Sequence, residues 1–390
     1  MNLPIVTKLL KTIVNEIHYE YHNYEKQTMK NHILIAVIAD LATILTALWP
    51  VPVDRNKASS ERRPPMPVLT VGPHFPIAFS VRATQNVNRI AKLLQQIYRP
   101  QNLYCIHVDR SATFVYNASL QEALAEFGEN VFFVPDGDRV AMDGGKVALL
   151  EADLVCAKLL KKRSSEWRYW INLSGGEIPL KTNWEIVTAL QLLNGSNAVS
   201  AYIRKTKSNH PTPQSYLDLN VTWYQGDDSV AVRPEFVSFV LQNDMATLLL
   251  DAFRAYEEDF GPNKIKEGYF AILNNNPSVF AIPGAFANSR DHFQIETPIR
   301  AEHRMWHRRP CRSRFWQNSR CLFGAIDVPF LKSHPHFFVD SLAPSFTKEA
   351  RNELENWHTE KLRHEARTGK LHPSFDKKYY SQLEATKMHL

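Results

Sequence analysis

Asp109 stands at the end of an apolar run, in the string IHVDR. A carboxylate there accepts hydrogen bonds either from a nucleotide's base or ribose, or from the backbone element it caps. The string Val134-Pro-Asp136-Gly-Asp138 also has two readings. An Asp-x-Asp after an apolar strand can hold a divalent cation against a diphosphate, since hard cations take oxygen ligands. Asp-Gly is equally a turn pair. Residues 172–182 read NLSGGEIPLKT. An apolar strand stops there in Ser174, Gly175 and Gly176, followed by the acid Glu177. Small residues let a ligand, or another backbone, approach closely. Glu267 lies in KEGYFAIL at the start of an expected helix. In a cleft it can serve as a general base; alone at a surface it is only solvated. Arg308, Arg309, Arg312, Arg314 and Arg320, with His303 and His307, surround Cys311 and Cys321. Such a stretch can neutralise a diphosphate, or be a solvated basic loop.

These residues need elements to place them. Pro76 to Arg82 (PIAFSVR) reads as a buried strand that ends on a charge. Ala83 to Tyr98 carries helical spacing at Val87, Ile90, Ala91, Leu94 and Ile97,. Asn102 to Val108 is a second strand, which completes a βαβ unit and predicts a parallel pair with a right-handed crossover. A helix near Leu120 to Phe127, a strand over Asn130 to Val134, a Gly-Gly turn and a long helix to about Leu160 follow. A strand over Trp170 to Leu173, a helix from about Asn183 to Leu193 and a strand near Ala198 to Ile203 continue the alternation. The expected class is α/β: a doubly wound, mostly parallel sheet with helices on both faces. Such sheets bind ligands outside the carboxyl ends of their strands, so the loops after Val108, Val134 and Leu173 are where a site belongs. From about Lys348 the chain reads as a charged helix and a polar tail.

Of the 390 residues 44% are hydrophobic and 22% charged, an ordinary globular balance,. A net charge of +6 favours anionic partners,. The basic residues are scattered rather than gathered with aromatics into a stripe, which argues against nucleic acid. Cys105, Cys156, Cys311 and Cys321 form no C-x-x-C pair, which disfavours a zinc ribbon. They are two disulfides in an oxidising compartment or buried thiols in a reducing one. Sequons begin at Asn117, Asn172, Asn194 and Asn220; Asn172, inside an apolar strand, reads as buried and unmodified. Residues 33–49, ILIAVIADLATILTALW, fall just short of the roughly 20 that span a bilayer. Asp40 in their middle costs about 2.5–3.5 kcal/mol on insertion scales. A buried amphipathic helix is the other reading, but the Pro-, Arg- and Ser-rich stretch that follows leaves it no core to join. The expected division is a short N-terminal tail (1–31), a signal-anchor helix (32–49), a linker (50–74), a main α/β domain (75–345) and a C-terminal helix and tail (346–390), and the flanking charges, basic on both sides, leave the orientation of the anchor open.

The runs IYRPQNLYCIHVD (97–109), GG-x-x-x-LLEADLVCAKLL (144–160) and WRYWINLSGGEIPLKTNWEIV (167–187), with AVRPEFVSFVL (231–241) and SRCLFGAIDVPFL (319–331), occur in the order found in one family. Over roughly residues 75–365 the chain resembles the core-2/I-branching β-1,6-N-acetylglucosaminyltransferases, a family that is also related to protein O-xylosyltransferases. The resemblance implies a GT-A type fold, a single-pass type II anchor and a catalytic domain in the Golgi lumen. It implies inverting transfer of GlcNAc from UDP-GlcNAc to a 6-hydroxyl of a glycoprotein O-glycan, with no metal cofactor and no nucleic-acid partner. The family's base carries over to Glu267 and its nucleotide-contacting acid to Asp109, while Arg82, Arg314 and Arg320 are further candidates to hold the nucleotide-sugar. Ser174, Gly175, Gly176 and Glu177 become the loop beside the substrate. The resemblance also implies the pairings Cys105–Cys156 and Cys311–Cys321. The chain departs from the family where an Arg and a Lys are expected to meet the diphosphate: those positions read Asn318 and Ser341. Arg320, Arg314, Lys332 and Lys348 are the nearest basic residues. Lys266 precedes the expected base in place of an acid, and Asp143 replaces a Trp. The alternatives are a catalytically impaired glycan-binding relative, a transferase using another UDP-sugar such as UDP-xylose, and a metal-dependent enzyme using Asp136 and Asp138.

Overall fold

A computed structural model describes residues 72–390 except 85, 204–212, 263–267, 287–293, 296, 302–310, 318–319, 341 and 388. The expected anchor helix and Glu267 lie outside the described residues, as do His303, His307, Arg308 and Arg309. Among the described residues no single helix is long and apolar enough to cross a membrane.

The first half of the chain alternates as expected. Strand β1 (Ile77–Ala83) leads through helix α1 (Val87–Ile97) to β2 (Leu103–Val108). Helix α2 (Phe114–Leu124), β3 (Val131–Phe133), α3 (Lys146–Arg163) and β4 (Tyr169–Leu173) follow. The central sheet has the order β3-β2-β1-β4-β8, where β8 (Ala231–Val232) is the only antiparallel member. Of the expected strand near Ala198 to Ile203, Ala198 makes only an isolated antiparallel bridge to Ala231 of β8, and Ala201–Tyr202 forms a separate strand, β6. It pairs instead with β7 (Gln225–Gly226) and β9 (Gln294–Ile295). Helix α2 begins six residues before the expected start. Its first turn carries Phe114 and Val115, which are 85% and 71% exposed, so no apolar stripe marks it. Thr113 starts it by accepting from the backbone N–H of Tyr116,.

The side-chain period of two divides β1 between two cores. Ala78 joins Cys105, Trp170 and the α3 residues Cys156, Ala157 and Leu160 on one face. That face is completed by helices α5 (Pro234–Gln242), α6 (Asp244–Phe260) and α7 (Tyr269–Asn275), after β5 (Ile178–Pro179) and α4 (Asn183–Leu192). Phe79 and Val81 join Tyr104, Ile106 and Ile171 on the other face, under α1, α2 and α4. The sheet is therefore doubly wound, with helices on both faces.

After β8 come the hairpin β10 (Trp316–Gln317) and β11 (Arg320–Cys321), then α8 (Val328–Ser333) and β12 (Phe338–Val339). The C-terminal segment is helix α9 (Lys348–Thr368) and a short α10 (Lys377–Ser381). Strand β12 pairs antiparallel with β5, directly after the β4 end. A third apolar cluster joins Ile178 and Leu180 to Leu331, Val339, Ala350 and Leu354. The charged helix expected at the C-terminus thus packs against the loop that follows β4.

The cysteines follow the expected pairing at one site only. Cys311 and Cys321 form a disulfide. Cys105 and Cys156 are fully buried free thiols. The Cys156 thiol donates to the Cys105 carbonyl at 3.3 Å. Burial, then the neighbouring Cys105, pushes its pKa up. That keeps it in the unreactive thiol form.

Candidate active site

The site is built where β1 and β4 end. Ser80 and Asn172 are register partners, so Arg82, two residues beyond Ser80, falls on the same face as both, beneath α3. Its guanidinium lies 3.3 Å from Asp153 of α3 and 3.5 Å from Asp228. Asn172 donates to Asp153 at 2.8 Å and to the Asp228 carbonyl at 2.7 Å, and accepts from the Val230 N–H at 2.9 Å. With both polar ends engaged and the residue 1% exposed, the sequon at Asn172 is closed to glycosylation, as expected.

Asp228 links Arg82 to a second arginine. Arg300 pairs with Asp227, Asp228 (2.7 Å) and Asp340 (2.9 Å). Arg320 reaches Asp227 at 4.0 Å. Burial alone would push the Asp228 carboxyl up, but Arg300 and Arg82 outweigh it and hold it well below the usual carboxylate range. Asp153 behaves the other way. Burial raises its pKa to about 7 despite Arg82 and the Asn172 hydrogen bond. Arg82 and Arg320 are therefore brought into one network, each facing protein carboxylates. Arg314 is not: it sits exposed, at φ +62°, before β10. A small cavity of about 40 Å³ lies against the network, lined by Arg82, Lys146, Asp153, Asp228, Gly268 and Tyr269. Gly268 is the residue after Glu267.

Asp109 is half-buried and serves the loop beside it. It accepts from the Ser111 N–H and hydroxyl (2.7 and 2.6 Å) and from the Met142 N–H (2.7 Å). Burial works against its charge, yet these hydrogen bonds hold its pKa below the ordinary value. The neighbouring His107, kept neutral by burial with a pKa of about 4, accepts from the Val140 N–H at 3.1 Å. The string IHVD thus clasps residues 140–142. Asp136 and Asp138 lie in an exposed 3₁₀ turn, where Asp136 pairs with Arg139 at 2.7 Å. Among the described residues no cluster of three or more His, Cys, Asp or Glu is placed to hold a metal.

The strand-end loop has a structural reason for its small residues. Gly175 has φ +79°, and a Cβ there would come 2.5 Å from the Arg82 carbonyl. Glu177 turns inward and accepts from the Ser174 N–H at 2.5 Å. Burial, then Asp340, raises its pKa. The rest of the signature is a clamp. Thr182 caps α4 in a capping box with Glu185 and donates to Glu365 of α9 at 2.5 Å,. The Lys181 ammonium donates to the His334 carbonyl at 2.5 Å. Lys361 is fully buried, donating to the Leu180 carbonyl at 2.8 Å and pairing with Glu185.

Ser174 and Gly176 open onto a second, larger space. A groove of about 840 Å³ runs past Arg89, Trp316, Gln317, Asp340 and Arg351. It is of the size that takes small ligands. Long-range partners such as Asp227, Asp228, Arg300 and Asp340 had no local sequence signal, because they come from separate loops and meet only in the fold.

A family model for the Core-2/I-Branching enzyme matches residues 77–327. The chain is 28% identical over 308 residues to the pig (Sus scrofa) probable beta-1,3-galactosyl-O-glycosyl-glycoprotein beta-1,6-N-acetylglucosaminyltransferase 7, covering 73% of this chain and 68% of that one. It is 26% identical over 326 residues to the Homo sapiens N-acetyllactosaminide beta-1,6-N-acetylglucosaminyl-transferase, covering 77% and 76%. The Mus musculus protein of that name is 31% identical over a shorter 229 residues, 53% and 54% of the two chains. The mostly parallel α/β fold is consistent with the GT-A type that the sequence resemblance implies. With the matched region spanning the central sheet, the strand-end loop and all of the arginine–carboxylate network but Asp340, the chain belongs to the Core-2/I-Branching enzyme family of glycosyltransferases.

Proposed function

We propose that this glycosyltransferase moves GlcNAc from UDP-GlcNAc to the 6-hydroxyl of an acceptor sugar on a glycoprotein O-glycan, with inversion and without a metal, as a lumenal domain anchored in the Golgi membrane. The observation that carries the donor and linkage is the naming of the relatives: those compared above are β-1,6-N-acetylglucosaminyltransferases. Glu267 takes the proton from the acceptor hydroxyl as it attacks the anomeric carbon, and UDP leaves from the opposite face. Asp109 turns toward the nucleoside with the acceptor capacity its protein donors leave it. Charge growing on the diphosphate must be offset, usually a large part of such catalysis. Arg82 and Arg320 contribute little to this, because protein carboxylates already offset their charge.

A second reading has its own support. Asn318 and Ser341 stand where the resemblance expects an Arg and a Lys, and their neighbours Gln317, Asp340 and Leu342 line the larger groove. A catalytically impaired, glycan-binding relative would look like this. Steady-state kinetics of Glu267→Gln separates the two. For the active enzyme kcat falls by about 10²–10⁴, the usual worth of a general base, with UDP affinity unchanged. An unchanged kcat removes Glu267 from the mechanism. A wild-type chain that binds glycan but turns over no UDP-sugar establishes the second reading.

A further inference from the structure

We propose that Arg89 and Arg351 form the oxyanion site for the donor's diphosphate, in the groove beside Ser174 and Gly176. This rests on the UDP-sugar reading above and names the groups that would do the work.

The two arginines come from opposite ends of the sequence. Arg89 lies in the first turn of α1 and Arg351 in the first turn of α9. Both line the groove of about 840 Å³ that begins at the end of β4. They are near enough to feel each other. Burial, then the charge of Arg89, lowers the Arg351 pKa, with Glu355 acting in the opposite direction. Glu355 also pairs with Lys92 at 3.7 Å. Two arginines lining one groove can offer an oxyanion between them paired, charge-assisted N–H donors,.

The deeper arginines are poorly suited to that task. Arg82 and Arg300 are each held by two or more aspartates, and Arg320 leans on Asp227. Freeing them would leave buried carboxylates uncompensated. The groove also holds apolar surface for the rest of a nucleotide-sugar. Phe315 and Trp316 line it and are 43% and 41% exposed, so aromatic surface of the kind that packs on a sugar ring or a base lies along it.

The test is calorimetry on the full chain with three probes: UDP, inorganic pyrophosphate and uridine. The variants are Arg89→Gln, Arg351→Gln, the double variant and the Arg-to-Lys pair. The double Gln variant is expected to weaken UDP and pyrophosphate by about 10- to 100-fold, as expected for losing charge-assisted contacts. Uridine affinity should stay at the wild-type value, which also shows that the variant is folded, and the Lys pair should recover part of the loss. Wild-type UDP affinity in the double Gln variant overturns the proposal and leaves the donor reading standing. Pyrophosphate binding that depends on the two arginines, in a chain that does not bind UDP, supports the oxyanion site and overturns the donor reading. A wild-type chain that binds neither UDP nor pyrophosphate overturns both.

Discussion

The Arg82 guanidinium and the Asp153 carboxylate meet 3.3 Å apart with side chains 5% and 1% exposed. The pair ties the end of β1 to α3, beside the loop that follows β4. Removing one partner of a buried pair leaves the other uncompensated and typically costs about 3–5 kcal/mol. Arg82→Gln is therefore expected to lower stability to urea by that amount at pH 8. Asp153 already has a pKa of about 7 in the fold, and without Arg82 it rises further. At pH 5 the carboxyl is protonated in the folded variant, so the loss shrinks. An equal loss at both pH values contradicts this account.

Gly175 is confined twice, by φ +79° and by the Arg82 carbonyl 2.5 Å from where a Cβ would sit. Gly175→Ala is expected to cost about 2 kcal/mol or more, since a left-handed alanine and a backbone clash add. Urea unfolding measures it, and a change below about 0.5 kcal/mol would show that β1 and β4 can part at no cost.

The thiols give a direct count. In denatured, unreduced protein two cysteines should react with maleimide, identified by peptide mapping as Cys105 and Cys156. After reduction all four should react. Labelling of Cys311 or Cys321 before reduction, or protection of Cys105 and Cys156, would contradict the observed pairing.

Glu365 makes the C-terminal clamp sensitive to pH. Burial raises its pKa to about 7, against the Thr182 hydrogen bond; Glu185 acts with burial, and Lys361 and Arg99 against it. A carboxyl whose folded pKa exceeds its unfolded value binds its proton more tightly in the fold. Its contribution is therefore full below about pH 4.5 and is lost as pH rises toward 7. Lys181, lowered to about 7 by burial and Lys361, and His358, lowered to about 3 by burial and Lys361, run the other way. The difference between wild type and Glu365→Gln isolates the term. Wild type should lose on the order of 1–3 kcal/mol relative to the variant between pH 4.5 and 7.5. A difference that is flat with pH would mean that Glu365 titrates normally.

Much of this was legible in the residues. Apolar runs placed β1, β2 and β4 within a residue or two, and α4 starts at Asn183, where a helix was expected. Asn172 was readable as buried because it interrupts such a run. What escaped was set by distant parts of the chain. Arg300 finds Asp227, Asp228 and Asp340 only after several loops fold together. Lys181 and Thr182 direct their polar atoms to His334 and Glu365, 153 and 183 residues away. Arg89 and Arg351 lie on two helices with no sequence relationship. The resemblance implied a Cys105–Cys156 disulfide, whereas the Cys156 thiol turns to the Cys105 carbonyl and both cysteines are free.

The central claim is β-1,6 transfer of GlcNAc. Its most direct test is incubation of the full chain with UDP-GlcNAc and a core-1 O-glycan acceptor in EDTA, with the product linkage read by NMR. The account predicts a GlcNAc joined β-1,6 to the acceptor, formed at the same rate with and without chelator. A folded chain that gives no product, a different linkage, or activity that EDTA abolishes would contradict it.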